Sequence, residues 1–258
     1  MEKPLILLES ADHIAIMTLN HSEKRNALSH AMLSQLLENF KAVAVDRTVR
    51  VVILRAAGPA FSAGHDLREL VGAQEGQYQE LFALCTEAME AIRKLPQPVI
   101  AQVQGVATAA GCQLAATCDL VVAAEDASFA TPGVKIGLFC STPAVALARA
   151  VPPKKAMEML LTGNLISARE AERIGLVSRV VPSDRLAEEA MSLAWQISAA
   201  SSYTIALGKR TFYEQLHLGR PEAYEVACRA MVENAQAADA EEGIRAFLEK
   251  RPPKWSDR

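Results

Sequence analysis

Two turns built from small residues, Ser62-Ala63-Gly64-His65-Asp66 and Ala109-Ala110-Gly111-Cys112, each follow a buried-looking apolar run and precede a predicted helix start. Backbone N–H groups at a helix start have no internal partner, and the helix dipole makes that end positive, so such a turn receives an oxygen carrying negative charge. Two of them facing each other form an oxyanion hole, with the N–H groups of His65 and Ala110 as donors. The lack of bulky side chains lets a carbonyl approach the backbone closely, although small residues at these places also serve tight packing of helix on strand. The side chain that follows the second turn, in AAGCQLAATCD, is Gln113. Its amide can orient a water through hydrogen bonds but cannot accept a proton near pH 7.

Other chemistries lack their motifs. The run from Gly105 to Gly111 has no Lys-Ser/Thr after it, so it is no phosphate loop; GxGxxG and GxSxG do not occur, and the five His never form HExxH. A balance of 27 basic and 30 acidic side chains, net charge -3, with few aromatics, argues against nucleic acid as a partner. No run reaches the roughly 18 to 20 apolar residues of a membrane span, and MEKPLILLESADH places acids and a Pro where a signal peptide needs an apolar core. A cytoplasmic address with no membrane partner is the expectation. Cys85, Cys112, Cys118, Cys140 and Cys228 are odd in number and form no CxxC pair, which favours reduced, mainly buried thiols and no metal.

The elements that must position the two turns follow from periodicity. LILLES and HIAIMTL read as a strand hairpin, and SHAMLSQLLENFKAVAVD as a helix with Ser29 as its N-cap. RVVILRAAG is a β-branched strand, and PAFSAGHDLREL a loop turning into a short helix at about His65. After the helical stretch YQELFALCTEAMEAIRKL, VIAQVQG repeats the plan, leading through VATAAG into the helix that holds Gln113. LVVAAE and SFATP are further strands, GVKIGLFCST is irregular, and helices lie near 143–150, 153–162 and 167–174. From about 184 the chain is nearly all helix. The fold class expected is α/β, with a core over 1–195 and a helical C-terminal region over 196–258, not independent of each other.

Five stretches, KRNALS, FSAGHDL, PVIAQVQGVATAAGCQLAATCDLVVAAEDASFATP, LTGNLISAREAERIGLVSRVVP and GIRAFLEKRPPKW, resemble the enoyl-CoA hydratase/isomerase, or crotonase, family from one end of the chain to the other. SAGHDL and SFATPGVKIGLFCSTPAVALARAVP most resemble its branch of enoyl-CoA hydratase domain-containing proteins. The resemblance implies a crotonase-like ββα spiral closed by a helical trimerisation region, a homotrimer or dimer of trimers, and an acyl-CoA thioester as substrate. Coenzyme A then arrives as part of that thioester, with no separate cofactor. The His65 and Ala110 amides match the family's oxyanion hole, which stabilises a thioester enolate. Arg25, Ala27, Ala63, Asp66 and Leu67 match the wall that receives the adenine end of CoA, and Phe247 and Lys250 fall where members use an aromatic and a basic residue of a neighbouring subunit. Core packing for Phe247 and a solvated helix end for Lys250 are the structural alternatives.

Hydratases of the family resemble one another in two glutamates that hold and activate the water; the matching positions here are Gln113 and Gly133. Since an acid or base contributes about 10²- to 10⁴-fold, hydration is expected to be weak or absent. Methylmalonyl-CoA decarboxylases of the family also carry SAGHD, so the His65 imidazole could bind a carboxylate or move a proton, unless only its backbone matters. Cys140, Ser141 and Thr142 match the loop where other members place a reaction-specific side chain; the Cys140 thiol is either reactive at a helix start or apolar filling. Cys112 and Asp119 fit structural roles, and Asp66 a helix cap. The readings that follow are an enolate-stabilising acyl-CoA enzyme, with decarboxylation suited best; a non-catalytic acyl-CoA-binding paralogue; and a hydratase whose water is held by Gln113 with another partner.

Overall fold

The computed structural model describes residues 3–258 of the 258-residue chain. Its strands are β1 (Ile6–Ala11), β2 (Ile14–Leu19), β3 (Val51–Ala56), β4 (Val99–Val103), β5 (Val106–Thr108), β6 (Leu120–Ala124), β7 (Ser128–Ala130), β8 (Ile166–Ser167) and β9 (Arg179–Val181). The helices are α1 (His30–Val45), α2 (Glu75–Lys94), α3 (Ala110–Thr117), α4 (Ser141–Ala150), α5 (Pro153–Thr162), α6 (Ala168–Arg173), α7 (Leu186–Ser198), α8 (Ser202–Gln215), α9 (Arg220–Ala235) and α10 (Ala238–Glu249).

A six-stranded sheet runs β1-β2-β3-β4-β6-β9, parallel except for the opening β1–β2 hairpin, and a smaller sheet runs β5-β7-β8. The chain coils between them. β4 of the large sheet passes into β5 of the small one and then into α3, and β6 passes into β7 and on to α4. Isolated parallel bridges, Leu28 to His65 and Ser62 to Ala107, extend the small sheet backwards, so the 62–65 segment lies beside β5 as the preceding rung of the spiral. Equivalent ends of successive rungs come out adjacent, which is what brings the two small-residue turns together.

The parallel strands are buried, and Val51, Val52, Leu54, Val99, Ile100 and Val122 are fully enclosed, as a parallel sheet covered on both faces requires. α7 covers β2, β3, β4 and β6, while α1 and α2 pack on each other. Ser29 caps α1 as its sequence suggests, its hydroxyl accepting from the Met32 N–H at 3.2 Å. The C-terminal helices are tied to the spiral by the Lys209 ammonium, which donates to the Ile92 and Gln97 carbonyls and to the Asp119 carboxylate at 2.7–2.9 Å. Among the described residues no helix is long and apolar enough to cross a membrane.

Three local expectations need correction. The helix after the first turn begins at Leu67, not His65, and is a three-residue 3-10 turn over Leu67–Glu69 capped by the Asp66 carboxylate, which accepts from the Arg68 N–H at 3.1 Å. His65 is instead held in extended backbone by its bridge to Leu28. VATAAG is not all turn, since Val106–Thr108 forms β5, and GVKIGLFCST contains a 3-10 helix over Pro132–Ile136.

Candidate functional site

The two turns touch. A Cβ added to Gly64 would lie 2.9 Å from the Ala109 Cβ and 3.3 Å from the Ala110 nitrogen, and one added to Gly111 would meet the Ser62 carbonyl oxygen at 2.3 Å. Glycine at both places is therefore what permits the approach. Gly64 adopts φ +91°, and Ala109 sits at φ 50°, ψ -120°, a conformation that alanine rarely accepts. Among the described residues neither the His65 N–H nor the Ala110 N–H donates to a protein acceptor, whereas the neighbouring Leu28, Ala63, Thr108 and Ala109 amides all do. Two amides without a protein acceptor thus belong to two turns that are in contact. Only the Ala110 donor is at the start of a helix of two turns, so the dipole contribution expected for both turns applies to one of them.

Asn26 holds the first turn and was not singled out by the sequence. Fully buried, its side chain accepts from the His21 N–H at 2.8 Å and donates to the Ala57 and Ala60 carbonyls at 2.8 and 2.9 Å. Its own carbonyl accepts from the Ser62 hydroxyl at 2.8 Å, and that hydroxyl accepts in turn from the Gly64 N–H. No periodic signal in KRNALS marks this residue, whose side-chain bonds all go to backbone groups outside that stretch.

The His65 ring has Nδ1 3.1 Å from the Leu28 carbonyl oxygen; a carbonyl only accepts, so Nδ1 carries the proton and Nε2 a lone pair. Nε2 is buried without a partner, with the Phe82 ring edge-on at 5.6 Å. Burial pushes the imidazole below its ordinary range, which keeps it neutral at neutral pH.

Gln113 is 5% exposed, and its Oε1 has no partner among the described residues. It lines a cavity of about 410 Å³ between α2, α3, α4 and α8, into which Thr142 also opens. Gly133 lies in the 3-10 segment with no room for a side chain: an added Cβ would be 2.0 Å from the Leu138 carbonyl oxygen and 2.8 Å from the Cys140 sulfur. Cys140 fills this space as the N-cap residue of α4, and burial raises its thiol above the ordinary range, so it is packing and not an activated nucleophile. Ser141 is exposed, and its hydroxyl turns back on the Phe139 carbonyl.

The residues matched to the CoA wall divide into two groups. Arg25, Ala27, Ala63, Asp66 and Leu67 come together: the Ala63 N–H donates to the Arg25 carbonyl at 3.0 Å, and Lys24 pairs with Asp66 at 3.1 Å beside the half-exposed Leu67. Phe247 and Lys250 lie on and just after α10, which packs against α8 and α9, and Phe247 is 83% exposed. Cys112 is buried under the second turn, and Asp119 accepts from the Val99 N–H, the Lys209 ammonium and the Tyr213 hydroxyl, as structural residues do.

A family model described as enoyl-CoA hydratase/isomerase matches residues 9–258. A rat protein named mitochondrial enoyl-CoA hydratase domain-containing protein 3 is 52% identical over 256 residues, covering 99% of this chain and 85% of the relative. The crystal structure of human enoyl coenzyme A hydratase domain-containing protein 3 superposes with a TM-score of 0.95 at 50% identity, covering 98% and 100% of the two chains. That of an enoyl-CoA hydratase from Mycobacterium smegmatis does so with a TM-score of 0.96 at 48% identity, covering 98% and 99%. The crotonase-like fold expected from the sequence is thereby shown. The mitochondrial designation of the rat, mouse and human relatives overturns the cytoplasmic expectation, which rested on lacking a secretion signal and a membrane span, features that do not distinguish two aqueous compartments. Matched over nearly its whole length by that model and by relatives about half identical to it, this chain belongs to the enoyl-CoA hydratase/isomerase family of enzymes.

Proposed function

We propose that the protein binds an acyl-CoA thioester with its carbonyl oxygen between the His65 and Ala110 amides, and stabilises the enolate that forms when charge moves onto that oxygen, in a reaction other than hydration. Each such donor contributes about 3–4 kcal/mol to the transition state in comparable sites. The observation that carries the reading is the pair of adjacent, unpartnered N–H groups together with the closed space at Gly133. A water-activating carboxylate has no place beside that residue, and Gln113 cannot serve as a base.

Loss of a carboxylate from the α carbon of a malonyl-type CoA ester fits this arrangement best. The electrons of the breaking C–C bond pass onto the thioester oxygen, CO₂ leaves, and the α carbon then takes a proton from water; no base is required. His65, neutral with an unshared Nε2 lone pair, is better suited to orienting that water, accepting a hydrogen bond from one of its hydrogens while the other passes to the α carbon, than to gripping a carboxylate by charge; the hydroxide left behind combines with CO₂. The adenine end of CoA lies along Arg25, Ala27, Ala63, Asp66 and Leu67. Phe247 and Lys250 reach a neighbouring subunit's ligand in a homotrimer or dimer of trimers, consistent with the exposure of Phe247.

A panel of short trans-2-enoyl-CoA and malonyl-type CoA esters tests this. CO₂ release from a malonyl-type ester, reduced in the His65→Ala variant, with negligible hydration, is the expected result. Hydration at ordinary enzyme rates overturns the reading, and decarboxylation untouched by His65→Ala removes the imidazole from it.

A further inference from the structure

The cavity beside Gln113 has a charge pattern that enolate stabilisation does not use. Ala110, Gln113 and Thr117 fall on one face of α3, and the last two line the cavity, which begins one helical turn beyond the Ala110 amide. Thr117 is seven residues beyond Ala110, roughly 10 Å along the axis, about the span of an extended eight-carbon chain. Arg93, over the ring of Tyr213 that bonds Asp119, stands near that far end, and Arg149 and His217 line the same cavity, against a single acid, Glu90. Among the described residues neither Arg93 nor Arg149 has a carboxylate partner: the Arg93 guanidinium lies over the Tyr213 ring at 4.3 Å, and Arg149 donates only to the Val145 carbonyl of its own helix. The nearby Asp119 is already met by Lys209 and Tyr213, and Glu90 lies 3.8 Å from Lys94. Gln113 adds a buried carbonyl oxygen with no donor to meet it.

We propose that this cavity is the acyl-chain subsite and that it selects a chain ending in a second carboxylate, held by Arg93 and Arg149; this rests on the reading that the chain binds acyl-CoA. Met89, Val145 and Ala146 receive the methylenes, but an alkyl tail alone leaves the two guanidiniums without the charge-assisted hydrogen bonds that a carboxylate gives them. The group lost in decarboxylation sits at the α carbon, near the amides; the one recognised here is at the opposite end of the chain.

Calorimetric binding of octanoyl-CoA and of its analogue with a terminal carboxyl, to the full-length protein, tests the inference. The carboxylated ester should bind roughly tenfold tighter or more, with a preference that weakens as salt rises. Arg149→Gln should abolish most of the preference, and Arg93→Gln should act in the same direction. Equal affinity for the two esters, or a preference that survives both substitutions, overturns this inference alone. Binding of neither ester, in a protein shown to be folded, overturns the acyl-CoA reading together with it.

Discussion

Replacing Gly133 by alanine puts a Cβ against the Leu138 carbonyl and the Cys140 sulfur. Overpacking of this kind costs about 1–3 kcal/mol, so Gly133→Ala should lower the denaturation midpoint, and adding Cys140→Ala should recover part of the loss by removing one of the two obstructing atoms. Full stability in the single variant, by urea or thermal unfolding, would mean that the 133–140 loop yields and that a carboxylate could be installed there. The missing glutamates at 113 and 133 were legible in the sequence only through its resemblance to the family's hydratases. That Cys140 occupies the vacated space was not, because it depends on a loop bringing residues seven apart into contact. The burial of His65 Nε2 against Phe82 likewise depends on α2 crossing the first turn, which no local pattern records.

At the scale of the elements, the site is a consequence of neighbouring rungs ending at the same level. The strand-turn-helix plan was readable twice in the sequence because β-branched runs and small-residue turns are strong local signals. The short helix was placed two residues early, at His65, although Asp66 was read as its cap; the 3-10 turn starts directly after that cap, at Leu67. Asn26 escaped notice since a single polar residue carries no period. Asn26→Ala leaves the His21, Ala57 and Ala60 backbone groups without partners and should cost about 3 kcal/mol. The accompanying loosening of the 62–65 turn should weaken acyl-CoA binding, measured on the fraction that remains folded. Unchanged affinity would show that the turn is held by its strand bridges alone.

The C-terminal helices leave large apolar side chains uncovered, including Phe212, Met231, Val232, Ile244, Phe247 and Leu248, all more than half exposed. Such patches mark association surfaces. Sedimentation should give the mass of a trimer or hexamer, and Phe247→Asp with Leu248→Asp should shift it toward monomer and weaken CoA binding together; a wild-type monomer at micromolar concentration would contradict this. Helical spacing in the sequence revealed these helices, but only the packed structure shows which of their faces remain uncovered. The most direct measurement of the account is a crystal structure with a saturated acyl-CoA bound. The thioester oxygen is expected within about 3 Å of both the His65 and Ala110 nitrogens, with the acyl chain passing Gln113; a thioester lying away from either amide would contradict it.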